Sequence, residues 1–196
     1  MVKEQRKEYL KILELVLVYL VPPLFFVYTP LSLPLIPFIF LYAMILLGLL
    51  LKDKNSEKKQ LWNLKKLRGE LKSIVMIFIP ITILLTAIVA LYFPQDFLSF
   101  PRRAGVFWIM VMLLYPILSV YSQSIIYRAY FEHRFSKLIP DKKKRLLVGA
   151  ALFSFGHVLF LNWIALIFTF IGGALFLYRY QKTKSLGTSA FEHALY

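Results

Sequence analysis

Long apolar runs alternate with short polar blocks along this chain. A helix needs about 20 apolar residues to cross the hydrocarbon core of a bilayer, and several runs have that length. Leu10 to Tyr28 predicts a first span, kinked at the pair Pro22-Pro23. Leu31 to Leu51 predicts a second, with Pro34 and Pro37 near its start and a turn of only a few residues before it. Ser73 to Phe93 predicts a third. Gly105 to Phe135 predicts a fourth segment of about 31 residues, roughly 46 Å as a helix. That exceeds the core, so this helix must tilt, kink at Pro116 or project beyond the lipid. Leu146 to Leu161 predicts a short fifth span, with Asn162-Trp163 as its turn, and Ile164 to Tyr178 a sixth. Leu186 to Tyr196 opens a seventh after about two turns, and the helix is expected to continue past Tyr196. In the connector Lys52 to Lys72, the residues Leu61, Trp62, Leu64, Leu67 and Leu71 recur at roughly helical spacing. They predict an amphipathic helix lying on the headgroup surface or in solvent.

Charge fixes the expected orientation. The N-terminal block, Lys52–Lys72, Arg134–Arg145 and Arg179–Lys184 hold 4, 8, 6 and 3 of the 24 Lys and Arg residues. These are alternate loops. The opposite loops hold only Arg102 and Arg103, which predicts a cytoplasmic N-terminus. Hydrophobic residues make up 59% of the chain, against roughly 45–50% apolar in soluble domains. The fold class is therefore all-α: a polytopic bundle of six to seven spans in a multi-pass integral membrane protein with lipid as its partner. It forms one membrane domain over 1–196. Residues 1–104 supply the N-terminal spans and the basic connector, and residues 105–196 a motif-bearing core. A net charge of +14 suggests nucleic acid at first sight, but it is dispersed over loops between apolar runs rather than gathered on one folded face. Nucleic acid is excluded as a partner. The absence of cysteine excludes disulfides and thiolate chemistry.

The fourth segment carries the chemistry in its second half, Gln-Ser-Ile-Ile-Tyr-Arg-Ala-Tyr-Phe-Glu-His-Arg from Gln123 to Arg134. A charge such as Arg128 inside a membrane is costly and marks function by default. Ser124 and Arg128 are i,i+4 and share a face. By helix rise, Ser124 lies about 15 Å from one edge, His157 about 16 Å up the next helix and His193 roughly 10–14 Å into the seventh. Polar side chains at one depth should face each other rather than lipid, so these helices predict a shared site. Blander roles remain open: His157 as a hydrogen-bonded packing element, Arg128 as the structural partner of Glu132 or Glu192, and Glu132, His133 and Arg134 as interfacial residues.

These residues resemble the CPBP family, the CAAX-protease and bacteriocin-processing membrane proteins also called ABI. That family carries Glu-Glu-x-x-x-Arg on one helix, Phe-x-x-x-His on the next and His-x-x-x-Asn or Asp on a later one. Gln123 to Arg128 occupies the first motif, Phe153 to His157 matches the second, and His193 to Tyr196 begins the third. The resemblance implies intramembrane endoproteolysis of a peptide or prenylated-protein tail and a prokaryotic plasma membrane. It implies a site of Gln123, Ser124, Arg128, His157 and His193, and a divalent metal such as zinc on His157 and His193. The departure is that Gln123 and Ser124 stand where the family has two glutamates. Neither can accept a proton from water near neutral pH, so the expected activity is impaired or absent. Three accounts stay open: a protein that keeps the cavity for binding, a substitute carboxylate from Glu192 or Glu132, or an engineered Ser124. The other functional classes are a non-catalytic binder, such as an immunity protein against a peptide toxin, and a small transporter. The transporter is disfavoured by the lack of repeats and of midplane carboxylates.

Overall fold

The computed structural model describes residues 2–29 and 34–196. The described residues are helical with connecting turns: α1 Val2–Tyr19, α2 Val21–Tyr28, α3 Leu35–Lys52, α4 Leu67–Tyr92, α5 Ser99–Ala104, α6 Val106–Phe135, α7 Lys142–Phe155, α8 Trp163–Thr183 and α9 Leu186–Leu195. Among the described residues, five helices are long and apolar enough to cross a membrane: Glu4–Tyr28 (α1 with α2), α3, α4, α6 and α8. Side chains on α4 show why lipid is the fitting solvent. Ile83 and Leu91 are 64% and 76% exposed to whatever surrounds the bundle.

Local chemistry explains the breaks. The chain turns at Leu20 because Pro22 and Pro23 occupy the first positions of α2, where their missing N–H groups are not needed. The predicted tight turn at residues 30–33 lies outside the described residues. In α6 the backbone widens to π-helical winding over Pro116–Tyr121 and again over Ile125–Tyr130. Pro116 cannot donate into the helical ladder, and such bulges recur at functional sites. Tyr19, fully buried, donates a 2.7 Å hydrogen bond to the Ile126 carbonyl of this irregular stretch. That second half of α6 is the axis of the bundle, with α3, α7, α8 and α9 packed around it.

Two expectations are corrected. The connector forms no amphipathic helix over Lys52–Lys66; it has only one short 3-10 turn, Lys58–Gln60. Helix ends recruit its backbone and polar groups instead. The Tyr121 hydroxyl donates to the Leu61 carbonyl, Tyr180 to Gln60, and Ser185 to the Asn63 carbonyl. Leu61 is buried as a result, and the segment is a strap tied across α6, α8 and the start of α9. The fifth span is also shorter than predicted. Helix α7 stops at Phe155, a 3-10 turn follows at Val158–Phe160, and neither is among the five candidate spans. Asn162 then caps α8 by accepting from the Ile164 and Ala165 amides at 2.9 and 3.3 Å, as Asn in this role does.

Helices α7 and α8 approach closely because small residues face each other, as in membrane helix pairs generally. A Cβ on Gly173 would meet Phe153 Cδ1 at 2.9 Å and the Ala150 Cα at 3.2 Å. Gly173→Val is therefore expected to destabilise the fold by about 1–3 kcal/mol. Thermal unfolding in detergent checks this against Gly48→Val, where a Cβ has open space. Between α8 and α9 the reversal takes place at Lys184 (φ 51°). Ser185 then caps α9 by accepting from the Thr188 amide at 3.1 Å. This tight turn folds α9 back along α8 and carries His193 to the centre of the bundle.

Candidate functional site

Four helices meet at the Arg128 side chain. Its Nη1 donates to Ser124 Oγ at 3.2 Å and lies 3.5 Å from His193 Nδ1. Its guanidinium carbon sits 4.8 Å from the Phe153 ring centre and 5.1 Å from that of Phe176. The Phe153 ring is also 4.8 Å from the His157 imidazole and 5.5 Å from that of His193, so one aromatic ring bridges the two histidines. Phe176 stacks beside His193 at 4.5 Å. The predicted convergence of Ser124, Arg128, His157 and His193 is thus present, with two phenylalanines as the surface between them.

The hydrogen bonds fix which atoms remain for chemistry. His157 Nδ1 lies 2.7 Å from the Phe153 carbonyl. A carbonyl only accepts, so Nδ1 carries the proton and Nε2 keeps a lone pair. Arginine only donates, so His193 Nδ1 accepts and its Nε2 is the protonated nitrogen. Ser124 Oγ donates to the Val120 carbonyl at 2.8 Å while accepting from Arg128. Gln123 Nε2 donates to Ser119 Oγ at 2.9 Å. Gln123, Ser119 and His157 line a cavity of about 270 Å³, walled mostly by apolar side chains of α2, α3, α6 and the α7–α8 turn.

Arg128 is 1% exposed, yet no carboxylate among the described residues reaches it. The proposed pairings with Glu132 and Glu192 do not occur. Glu132 is buried and held by Arg145 at 2.9 Å and by Gln181 at 2.7 Å. Glu192 is bound at 2.8 Å through both oxygens by Arg179, which also meets Glu70 and Ser73. Neither glutamate replaces the missing pair at 123 and 124, because each is committed to another arginine. His133 contacts Asp53 at 2.8 Å, away from the site, and this contact holds the Asp53 carboxyl below its ordinary range.

A divalent metal does not fit these residues. No group of three His, Asp or Glu side chains converges among the described residues, while tetrahedral or open zinc sites need at least three protein ligands. The guanidinium against His193 is a further obstacle, since it places a positive charge where the ion would sit.

Residues 103–196 match the family model described as type II CAAX prenyl endopeptidase Rce1-like. This is the segment that carries the three motifs, and the match bears out the resemblance to the CPBP family there. Searches of curated proteins and of solved structures gave no significant match. The Rce1-like region runs from just before α6 through α9, so every residue around Arg128 belongs to it. Sequence reasoning missed Phe176 and the Arg179–Glu192–Glu70 network. The sequence pattern puts Arg179 in a basic loop, but it lies one turn inside the end of α8, directly after the apolar run and 13 residues from Glu192.

Proposed function

We propose that this chain is a membrane-embedded protein that holds peptide or protein tails in an endopeptidase-like site and cleaves them poorly or not at all. Its N-terminus lies in the cytoplasm, as the charge of its loops directs. The observation that carries this reading is the composition of the site: a cavity that reaches Gln123 and His157, a buried arginine and a second imidazole behind it, and every nearby glutamate taken by another arginine. Water attack on a peptide needs a positioned proton acceptor, and the residues at 123 and 124 do not supply one. The lone pair left at the cavity on His157 Nε2 belongs to an imidazole whose Nδ1 is held by a backbone carbonyl, with no carboxylate among the described residues to stabilise the imidazolium. What remains is suited to binding. Arg128 offers charge-assisted hydrogen bonds to a carboxylate, and the cavity offers apolar surface.

The test uses the full chain in lipid nanodiscs with hydrophobic peptides of about eight residues. Peptides with a free C-terminal carboxylate should be retained and recovered intact by mass spectrometry. Amidating that terminus should weaken retention about tenfold, the scale of one lost charge-assisted hydrogen bond. Rapid cutting at one bond would refute the non-hydrolytic reading. Failure of any such peptide to bind would refute the whole proposal.

A further inference from the structure

Gln123 is 6% exposed, and its Oε1 has no hydrogen-bond partner among the described residues. Its other end is fixed by Ser119, so the carboxamide is oriented rather than free to turn. The residue lines the 270 Å³ cavity together with Phe26, Phe38, Tyr42, Ile126 and His157. An apolar cavity of about 150 Å³ holds a benzene ring, so this one has room for a bulky side chain and the backbone beside it. A buried acceptor left unpaired is unfavourable, and a ligand that donates to it gains the difference. Membrane lipid offers only hydrocarbon at this depth. A peptide brings an N–H at almost every residue.

We infer that Gln123 is a positioning residue that accepts a hydrogen bond from one backbone N–H of a bound peptide whose apolar side chain fills the adjoining cavity. This inference rests on the peptide-holding reading above. It gives the position a task that differs from water activation: an amide oxygen is a good acceptor for N–H and a poor base. The π-winding around Gln123 supports it, since the residue sits between the two widened stretches Pro116–Tyr121 and Ile125–Tyr130.

The experiment is an ester scan. An N-acetylated peptide of leucine, alanine and one phenylalanine, with a free carboxylate, is compared with analogues in which each backbone N–H in turn becomes an ester oxygen. Binding to the full chain in nanodiscs is read by fluorescence polarisation. One ester position next to the phenylalanine should lose about tenfold in affinity, and that loss should vanish in Gln123→Leu. A scan that is flat in the unmodified protein, which binds every analogue equally, overturns the role of Gln123 and leaves the peptide-holding reading intact; a lipid tail in the cavity would give this result. Absence of binding by the parent peptide overturns both. The scan itself needs no variant, and Gln123→Met stands in if Gln123→Leu unfolds.

Discussion

Placing glutamate at both positions, Gln123→Glu with Ser124→Glu, is expected to produce peptide cleavage at least about 100-fold above the unmodified protein. The figure follows from the usual contribution of a positioned general base, about 10²–10⁴. The geometry assigns the two carboxylates different tasks. Residue 124 is one turn from Arg128, and the Ser124 oxygen already lies 3.2 Å from its Nη1. A longer carboxylate there would pair with the guanidinium and supply the counter-charge that it lacks. Residue 123 lines the cavity with His157. A carboxylate there would accept the proton of a water attacking a bound peptide. Arg128 Nη2, buried and without a hydrogen-bond partner among the described residues, would stay behind Ser124 as a positive charge near the developing oxyanion. Product formation followed by mass spectrometry is the measurement, with His157→Ala and His193→Ala in the glutamate background as controls. If the double variant folds, retains peptide and still does not cut, the residues at 123 and 124 are not what limits cleavage.

The three buried arginines show why only part of this was legible in the sequence. Arg128, Arg145 and Arg179 are all at most 5% exposed. Arg128 stood out because it interrupts a long apolar run, and its i,i+4 relation to Ser124 is set by helix geometry alone. Arg145 and Arg179 lie at the ends of apolar runs, where a positive charge ordinarily marks a loop. Their burial depends on partners 13 residues away, Glu132 and Glu192, which no local pattern announces. Hydropathy located the five long helices, whereas His157 lies in the turn past the end of α7 rather than up a continuous helix. The bridging role of Phe153 did not follow, because ring contacts depend on how α7 and α8 close over Gly173.

The connector failed for a similar reason. Its leucines have helical spacing, but Asn55, Ser56 and Asn63 offer turn-forming side chains. The Asp53 and Asn63 side chains each accept from an amide two residues on, both at 2.9 Å. Hydrogen bonds from Tyr121 and Ser185 to the Leu61 and Asn63 carbonyls then reward an open backbone over a helix. Local propensity was outweighed by donors from distant helices.

Arg179→Met is expected to cost about 3–5 kcal/mol of stability, the scale for removing one partner of a buried ion pair, out of a total of about 5–15 kcal/mol for a typical fold. Glu192 is fully buried and would be left with no cation to meet it. Glu70 would retain Lys182, at 2.9 Å, so the loss falls mainly on α9. That helix carries His193 one residue after Glu192, and the pair with Arg179 clamps it onto α8, while Glu70 and Ser73 extend the clamp to α4. Disturbing it should therefore displace His193 from Arg128 and weaken peptide retention as well as folding. The double variant Arg179→Met with Glu192→Leu removes both charges and should recover most of the lost stability, because an apolar pair of similar volume often replaces a buried ion pair without penalty. A cycle of the two single variants and the double, followed by thermal unfolding, should give a coupling well above the spread seen for independent sites. An Arg179→Met protein that unfolds at the unmodified temperature would show that the clamp does not hold α9, and the placement of His193 would need another cause.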